Sequence, residues 1–410
     1  MINFLIKIKY KYRINLDFYS LVLFIFFLPL YIFLGIILKL LKIYFFKLFW
    51  VNAIGHLVGE PDFFLREQLN SKNKYLAVII LLPKSEVANS YYLKYLKKDF
   101  KIITNNLICK LLAPIKFLNI NIINPDKYFT NLNIKDPEQF KKNTNIFNIS
   151  KVLNDTYPKL TLSLSENEKL QSKNLIKKFN LDKYDGHVLL HFRDVQYRDD
   201  KIGPRDTMNL NSYIETIKYL IENKNYAVIR MGRGNNVAPF PKKIEGLFDY
   251  ATSQFKSDKN DILLVGSSKL FIGTNSGLSV LCYKFKIPSC FVNYAPFCKS
   301  PWIPNSFYFP KIYKNKNNNK TLSVSEILNS PIANSIDIKD YDEFEILENS
   351  SDDILNFVKE YIERINGKFS DSREILITKN KFYELLSKKF NYRNSNISSY
   401  FLHKYQDLIC

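Results

Sequence analysis

Cysteine is sparse in this 410-residue chain: Cys109, Cys282, Cys290, Cys298 and Cys410 are scattered, odd in number and form no Cys-x-x-Cys pair. That excludes a zinc ribbon and a disulfide framework, and it fits reduced thiols in a cytosolic compartment. Histidine is scarcer still, with four residues, and none are clustered at metal-ligand spacing. No Walker loop occurs, and no Gly-x-Gly-x-x-Gly follows a first strand, which argues against a P-loop NTPase or a dinucleotide enzyme. Asp340-Tyr341-Asp342 has the Asp-x-Asp form of a metal-bound nucleotide-sugar site. It lies in a weakly patterned tract rather than at a strand end, so it is not assigned that role. No internal repeat is evident.

Acidic residues are also short. Against 59 Lys and Arg stand 39 Asp and Glu, leaving a net charge of +20. A negatively charged partner follows: phospholipid, nucleotide phosphate or nucleic acid. The abundance of Lys, Asn and Ile together, as AT-rich coding produces, accounts for part of that charge. What is plentiful is apolar surface, 46% of residues with 15% aromatic, which excludes wholesale disorder. The length suggests two or three domains and a core that needs no disulfide or metal staple.

Residues 18–38 carry no charge. A bilayer-spanning helix needs roughly 20 such positions. Basic residues flank the run on both sides, Lys7, Lys9, Lys11 and Arg13 before it and Lys39, Lys42 and Lys47 after it, so loop charge sets no orientation. Pro29 predicts a kink, and a re-entrant helix would keep both basic ends on the cytoplasmic face. The aromatic, lysine-studded stretch after Lys39 reads as an interfacial amphipathic helix on anionic lipid. A straight span and a buried soluble helix are the alternatives.

Beyond residue 50 the pattern becomes that of an α/β protein. The runs at 74–83 and 101–105 read as buried parallel strands around a helix at 88–100. Residues 125–165 are polar and weakly patterned, with three prolines, and read as a connection. Ser165 and Glu168 form a capping-box signature for a helix to Phe179. A second series follows, with strands at 187–192, 226–231, 270–273 and 289–293 and helices at 211–223, 261–267 and 277–285. Helices are expected near 352–366 and 376–390, with a loop at 314–320. In such folds ligands bind at the carboxyl ends of the strands.

Four clusters stand at those ends. His191-Phe192-Arg193-Asp194 closes one strand, where an arginine fork suits a phosphate or, alternatively, an aspartate partner. A charged loop with Arg198, Gly203, Pro204, Arg205 and Asp206 follows. Gly273-Thr274-Asn275-Ser276-Gly277 leaves a strand and opens a helix, offering a hydroxyl and helix N–H groups to a phosphate. Arg230-Met231-Gly232-Arg233-Gly234 gives a permissive turn with two arginines near phosphate or sugar, or a plain surface loop. Gly55-His56, with Glu60 and Asp62 nearby, falls in an expected strand–helix loop, where the histidine is a candidate general base or a structural residue.

These residues resemble a family of bacterial glycosyltransferases found with surface-polysaccharide genes. The matching elements are residues 54–57, 191–194, Arg205-Asp206, Tyr213, 228–232, 248–251 and 261–277. The second half also resembles the donor domain of fucosyltransferases with a His-x-Arg motif. That resemblance implies that Arg193 binds the donor pyrophosphate, Asp261 helps hold the base, Ser276 binds phosphate and His191 lies near the nucleoside. The fucosyltransferase motif often carries a second arginine where this chain has Asp194, which puts GDP-fucose as donor in question.

The expectation is therefore an α/β protein of two Rossmann-like domains in the GT-B arrangement, facing each other across a cleft, with an N-terminal membrane helix and a C-terminal helical part. The expected boundaries are an anchor at 1–50, an acceptor half at 51–165, a donor half at 166–330 and an extension at 331–410. The expected activity is metal-independent transfer from a nucleotide sugar to a lipid-linked or polysaccharide acceptor at the cytoplasmic face of the bacterial inner membrane. No cofactor and no nucleic-acid partner are expected, and anionic lipid is. His56 is the first candidate base, Glu60 the reserve and Asp194 a third. The expected donor site is His191, Arg193, Arg205, Arg230, Gly232, Asp261, Thr274, Asn275, Ser276 and Gly277. The rival readings are a non-enzymatic basic membrane protein that binds nucleic acid or acidic polymer, and a transferase of a non-sugar group such as pyruvate.

Overall fold

The computed structural model describes residues 22, 25–48, 50–69, 71, 75–118, 120–125, 160–193, 203–232, 237–297, 300–301, 303–333, 343–389 and 395–409. Asp194, Arg198, Arg233, Gly234, the Asp340–Asp342 motif, Cys298, Cys410 and most of 18–24 lie outside the described residues. The chain divides into two units, Met1–Phe129 and Thr130–Cys410.

In the first unit, α1 (Leu28–Leu40) precedes β1 (Ile43–Phe46), α2 (Ile54–Leu69), β2 (Ala77–Leu81), α3 (Leu93–Leu96), β3 (Lys101–Ile103), α4 (Asn106–Leu112), α5 (Ile115–Leu118) and β4 (Ile122–Ile123). The strands form a parallel sheet in the order β3-β2-β1-β4. The short run Ile-Tyr-Phe-Phe makes β1, because aromatic and β-branched side chains suit a pleated surface packed on both faces. Phe45 and Phe46 are buried there.

Two expectations are corrected here. The segment after Lys39 is not an interfacial helix; its residues 43–46 are an interior strand of this sheet. A short apolar run has no period of its own, so its neighbours decide between helix and strand. The expected membrane helix is also not found: among the described residues no helix is long and apolar enough to cross a membrane. Helix α1 has 13 residues, about 20 Å at 1.5 Å per residue. Pro29 sits in its first turn, where a missing N–H breaks no helical bond, so it starts the helix rather than kinking it. Tyr31 joins Phe45, Leu81, Cys109 and Ile115 in a core cluster, with Leu34 and Leu38 packed against it. Residues 28–46 thus belong to the first α/β unit rather than to a separate anchor.

The second unit opens with α6 (Glu166–Lys178), whose capping box is complete: Ser165 Oγ accepts from the Glu168 N–H at 3.4 Å, and Glu168 Oε2 accepts from the Ser165 N–H at 2.9 Å. Then come β5 (His187–His191), α7 (Ile214–Glu222), β6 (Ala227–Met231), β7 (Leu247–Phe248), α8 (Asp258–Gly266), β8 (Leu270–Gly273), α9 (Gly277–Lys284), β9 (Ser289–Tyr294) and β10 (Phe307–Pro310). The C-terminal part adds β11 (Ile312–Asn315), α10 (Val324–Asn329), β12 (Phe344–Leu347), α11 (Ser351–Ile365), α12 (Arg373–Lys389), β13 (Asn396–Ile397) and α13 (Ser399–Lys404). Among the described residues the main sheet has seven strands, all parallel, in the order β13-β10-β9-β8-β5-β6-β7.

The C-terminal extension is therefore not purely helical. It supplies edge strand β13, and β12 pairs antiparallel with β11. Residues 314 and 315, within the stretch expected as a loop, are the end of β11. Strand β13 has two residues, one of them asparagine; a segment so short and polar has no apolar pattern, and its place is set by docking against β10. Buried Glu360 fixes this tract by accepting bonds from Arg364, the Ser398 hydroxyl and the Ser399 and Tyr400 N–H groups.

Candidate active site

The order of the large sheet locates a site before any side chain is considered. From β5 the chain moves outward through β6 and β7, then returns to lay β8 on the opposite side of β5. The loops leaving β5 and β8 therefore part in opposite directions, and at such a switch point a parallel sheet opens a crevice at its carboxyl edge. The pair is in register there, His191 beside Gly273. A Cβ on Gly273 would lie 2.2 Å from the His191 carbonyl oxygen, so only glycine permits this approach. The Thr274 N–H donates to that same carbonyl at 3.0 Å, and the Arg193 N–H donates to Thr274 Oγ1 at 3.1 Å. Arg193 and Thr274, 81 positions apart in sequence, are thereby stitched together at the edge.

Helix α9 starts at this point with Ser276 as its N-cap, in extended backbone conformation but with no side-chain cap bond. Other N-cap serines of this unit close on their helices: Ser257, Ser323, Ser350 and Ser398 each accept an N–H of the first turn at 3.1–3.2 Å. The Ser276 hydroxyl is buried and, among the described residues, has no hydrogen-bond partner. A helix N-terminus without a side-chain cap presents N–H donors and a positive dipole end, the pattern of an anion site. Asn275, Ser276 and Gly277 are all partly exposed, while Thr274 is buried.

Arg193 takes the aspartate partner, one of the two expectations for it. Its Nε lies 2.7 Å from Asp206 Oδ1, yet its side chain remains 14% exposed at the carboxyl edge. Asp206 Oδ2 accepts the Gly203 N–H at 2.6 Å, and the Thr207 N–H returns to the Arg193 carbonyl at 2.9 Å. Buried Lys311 donates to the Asp206 carbonyl at 2.7 Å. Burial lowers the Lys311 pKa against the opposing pull of Glu348 and Asp206. Glu348 accepts the Met208 and Asn209 N–H groups at 2.6 and 3.1 Å. Residues 206–209 are thus tied down by residues more than 100 positions later. Arg205 lies in this loop, partly exposed.

His191 Nδ1 lies 3.0 Å from the Met231 carbonyl. A carbonyl only accepts, so Nδ1 carries the proton and Nε2 keeps its lone pair. Burial brings the pKa down to about 4, so the ring is neutral near pH 7.

Arg230 plays a different part from the one expected of it. Its guanidinium is buried, donates to the Ala238 carbonyl at 2.7 Å and to Asp249 at 3.0 Å, and stacks over the Phe192 ring. It shapes the segment after β6 rather than presenting a fork at the edge. Gly232 allows that segment's close approach, since a Cβ would stand 2.9 Å from the Ala251 Cβ. Asp261 lies in the first turn of α8 and accepts the Tyr250 hydroxyl at 2.8 Å. Burial and that carboxylate push the Tyr250 pKa well up.

The first unit has its own switch point. Strands β2 and β3 run out on one side of β1, and β4 returns on the other. Helix α2 follows the carboxyl end of β1, and His56 and Glu60 lie in it, not in the expected loop. The helix stacks residues four apart: His56 Nδ1 meets Glu60 Oε1 at 2.6 Å, and Asp62 pairs with Arg66 at 2.8 Å. Glu60 is buried, His56 is 29% exposed along its side chain, and the Trp50 ring lies 4.5 Å from the imidazole. A carboxylate on Nδ1 orients the imidazole ring.

Sequence reasoning missed Lys311, Glu348, Asn293 and Asn349. Asn293, in the left-handed region at φ 51°, exchanges hydrogen bonds with Asn349 and donates to the Tyr213 hydroxyl at 3.0 Å. The one sequence signal was the match at Tyr213. Among the described residues no cluster of His, Cys, Asp or Glu has the makings of a metal site.

No protein family and no curated protein matches the chain by sequence. Among solved structures it is similar to a family 9 glycosyl transferase from Veillonella parvula, with 9% identity and a TM-score of 0.45 over 78% of this chain and 97% of that one. It is also similar to the ADP-heptose LPS heptosyltransferase II of E. coli, with 11% identity and a TM-score of 0.40 over 65% and 89% of the two chains. The E. coli heptosyltransferase WaaC with ADP gives 10% identity and a TM-score of 0.39 over 78% and 98%.

Proposed function

We propose that this chain is a glycosyltransferase of GT-B type, which transfers a sugar from a nucleoside-diphosphate donor to a hydroxyl of a lipid-linked or polysaccharide acceptor at the cytoplasmic face of the inner membrane. The observation that carries the reading is the edge between β5 and β8, where Ser276 at the start of α9 keeps its buried hydroxyl unpaired beside the Arg193–Thr274 link. Those groups suit a diphosphate. Helix N–H groups, the serine hydroxyl and the Arg193 fork neutralise the charge that develops on the leaving group, the part a cation plays elsewhere. His191 Nε2 accepts from a ribose hydroxyl, and the Asp261–Tyr250 pair borders the base.

In the first unit His56 is the candidate base for an acceptor hydroxyl, with Glu60 set against its Nδ1 to stabilise the imidazolium. The acceptor oxygen bonds to the anomeric carbon as the bond from that carbon to the phosphate oxygen breaks. The nucleoside diphosphate departs with the electron pair. Asp194 remains a candidate third participant by its place after Arg193 in the sequence.

Calorimetric titration with UDP, GDP, ADP and CMP, with and without EDTA, tests the reading. One diphosphate should bind preferentially, without a metal requirement, and DNA should not compete. Failure of all the nucleotides to bind, or displacement by DNA, would reject it.

A further inference from the structure

Helix α1 is apolar around its circumference yet only one side of it is covered. Tyr31, Leu34, Gly35 and Leu38 face the sheet. Phe26, Leu30, Phe33, Ile36 and Leu40 lie on the opposite arc, exposed, with Phe26 at 77% and Phe33 at 63%. The Tyr31 hydroxyl donates to the Leu111 carbonyl of α4 at 2.8 Å, and Leu107, Ile108 and Leu111 of that helix are exposed as well. Exposed apolar side chains clustered in this way mark an interaction site.

Its charge identifies the occupant. No acidic residue occurs from Phe18 to Gly59 or from Phe100 to Pro125, the two stretches that build this face. Lys39 and Lys42 stand exposed at the end of α1, and Lys110 and Lys101 stand exposed on and before α4. A second copy of the chain would set lysine against lysine. A partly inserted apolar face rimmed by lysines and free of carboxylates complements an anionic bilayer surface. We propose that the α1–α4 face of the first unit docks the protein onto anionic membrane lipid, lying in the interface without spanning it. This does not depend on the glycosyltransferase reading, since it concerns lipid alone.

The test is co-sedimentation of the full chain with vesicles of phosphatidylcholine alone and with added phosphatidylglycerol. Binding should require the anionic lipid. The double change Phe33→Ser with Leu107→Ser, and separately Lys39→Glu with Lys110→Glu, should each weaken it roughly tenfold or more, with the melting temperature and nucleotide binding unchanged. Equal binding to neutral vesicles, or unaltered binding by both variants, would overturn the proposal. So would a shift from dimer to monomer in the serine variant with vesicle binding intact, which would assign the face to a second copy.

Discussion

The two parallel sheets turn the same topological device to different chemistry. Each has a strand beside which the chain reverses direction, β1 in the first unit and β5 in the second. At the first, the pair proposed as base is His56 and Glu60, four residues apart on one helix. At the second, Arg193 comes from the end of β5 and Thr274 and Ser276 from the turn after β8; Asp206 pairs with Arg193, and Lys311 and Glu348 hold residues 206–209 in turn. A proton acceptor needs one oriented partner, which a single helical turn supplies. An anion site needs several donors converging from different directions, which only distant segments supply.

The comparison breaks most visibly at the histidine. His56→Ala should lower turnover by about 10²–10⁴ while nucleotide affinity stays the same; Glu60→Gln should lose less, because an amide still orients the ring. Steady-state kinetics alongside calorimetry checks this. Normal turnover in His56→Ala would remove the first unit from catalysis.

The next effect separates the sheets by pH. His187 and His191 both lie in β5, and burial brings each to about 4. Their folded pKa lies below the unfolded value of about 6.5, so the unfolded chain binds more protons between those limits. The stability they contribute is fully present above pH 6.5 and is lost as pH falls toward 4, up to about 3 kcal/mol per histidine. Thermal melts from pH 7 to pH 4 should show the second unit's transition falling, and His187→Leu should flatten the dependence.

Arg193→Ala should weaken nucleoside-diphosphate binding by about 1.5–3 kcal/mol, and Arg193→Lys should not restore it, since the fork is lost. Its pairing with buried Asp206 makes a melting curve the necessary control. Full affinity in a folded Arg193→Ala protein would leave the arginine as a structural pair only.

The smallest effect sharpens the contrast among helix starts. Ser323→Ala and Ser350→Ala should each cost about 1 kcal/mol of stability, because their hydroxyls cap α10 and α11. Ser276→Ala should leave the melting temperature unchanged and weaken diphosphate binding severalfold, because its hydroxyl caps nothing. A stability loss in Ser276→Ala without loss of affinity would count against the phosphate site.

By itself the sequence determined the α/β class, the strands at β2, β5, β6, β8 and β9, the helix started by Ser165, and the strand-end positions of Arg193 and Ser276. Those are local matters: a run of apolar residues, a cap three positions from its partner, a glycine turn. Tertiary structure decided the rest. It packed one side of helix 28–40 against the core of the first unit and made residues 43–46 a strand, because an apolar segment follows whichever apolar surface its neighbours offer. It chose Asp206 as the partner of Arg193, and it brought Lys311 and Glu348 to the loop after β5. Strand order sets such pairings, and strand order arises from long-range packing that no local pattern encodes.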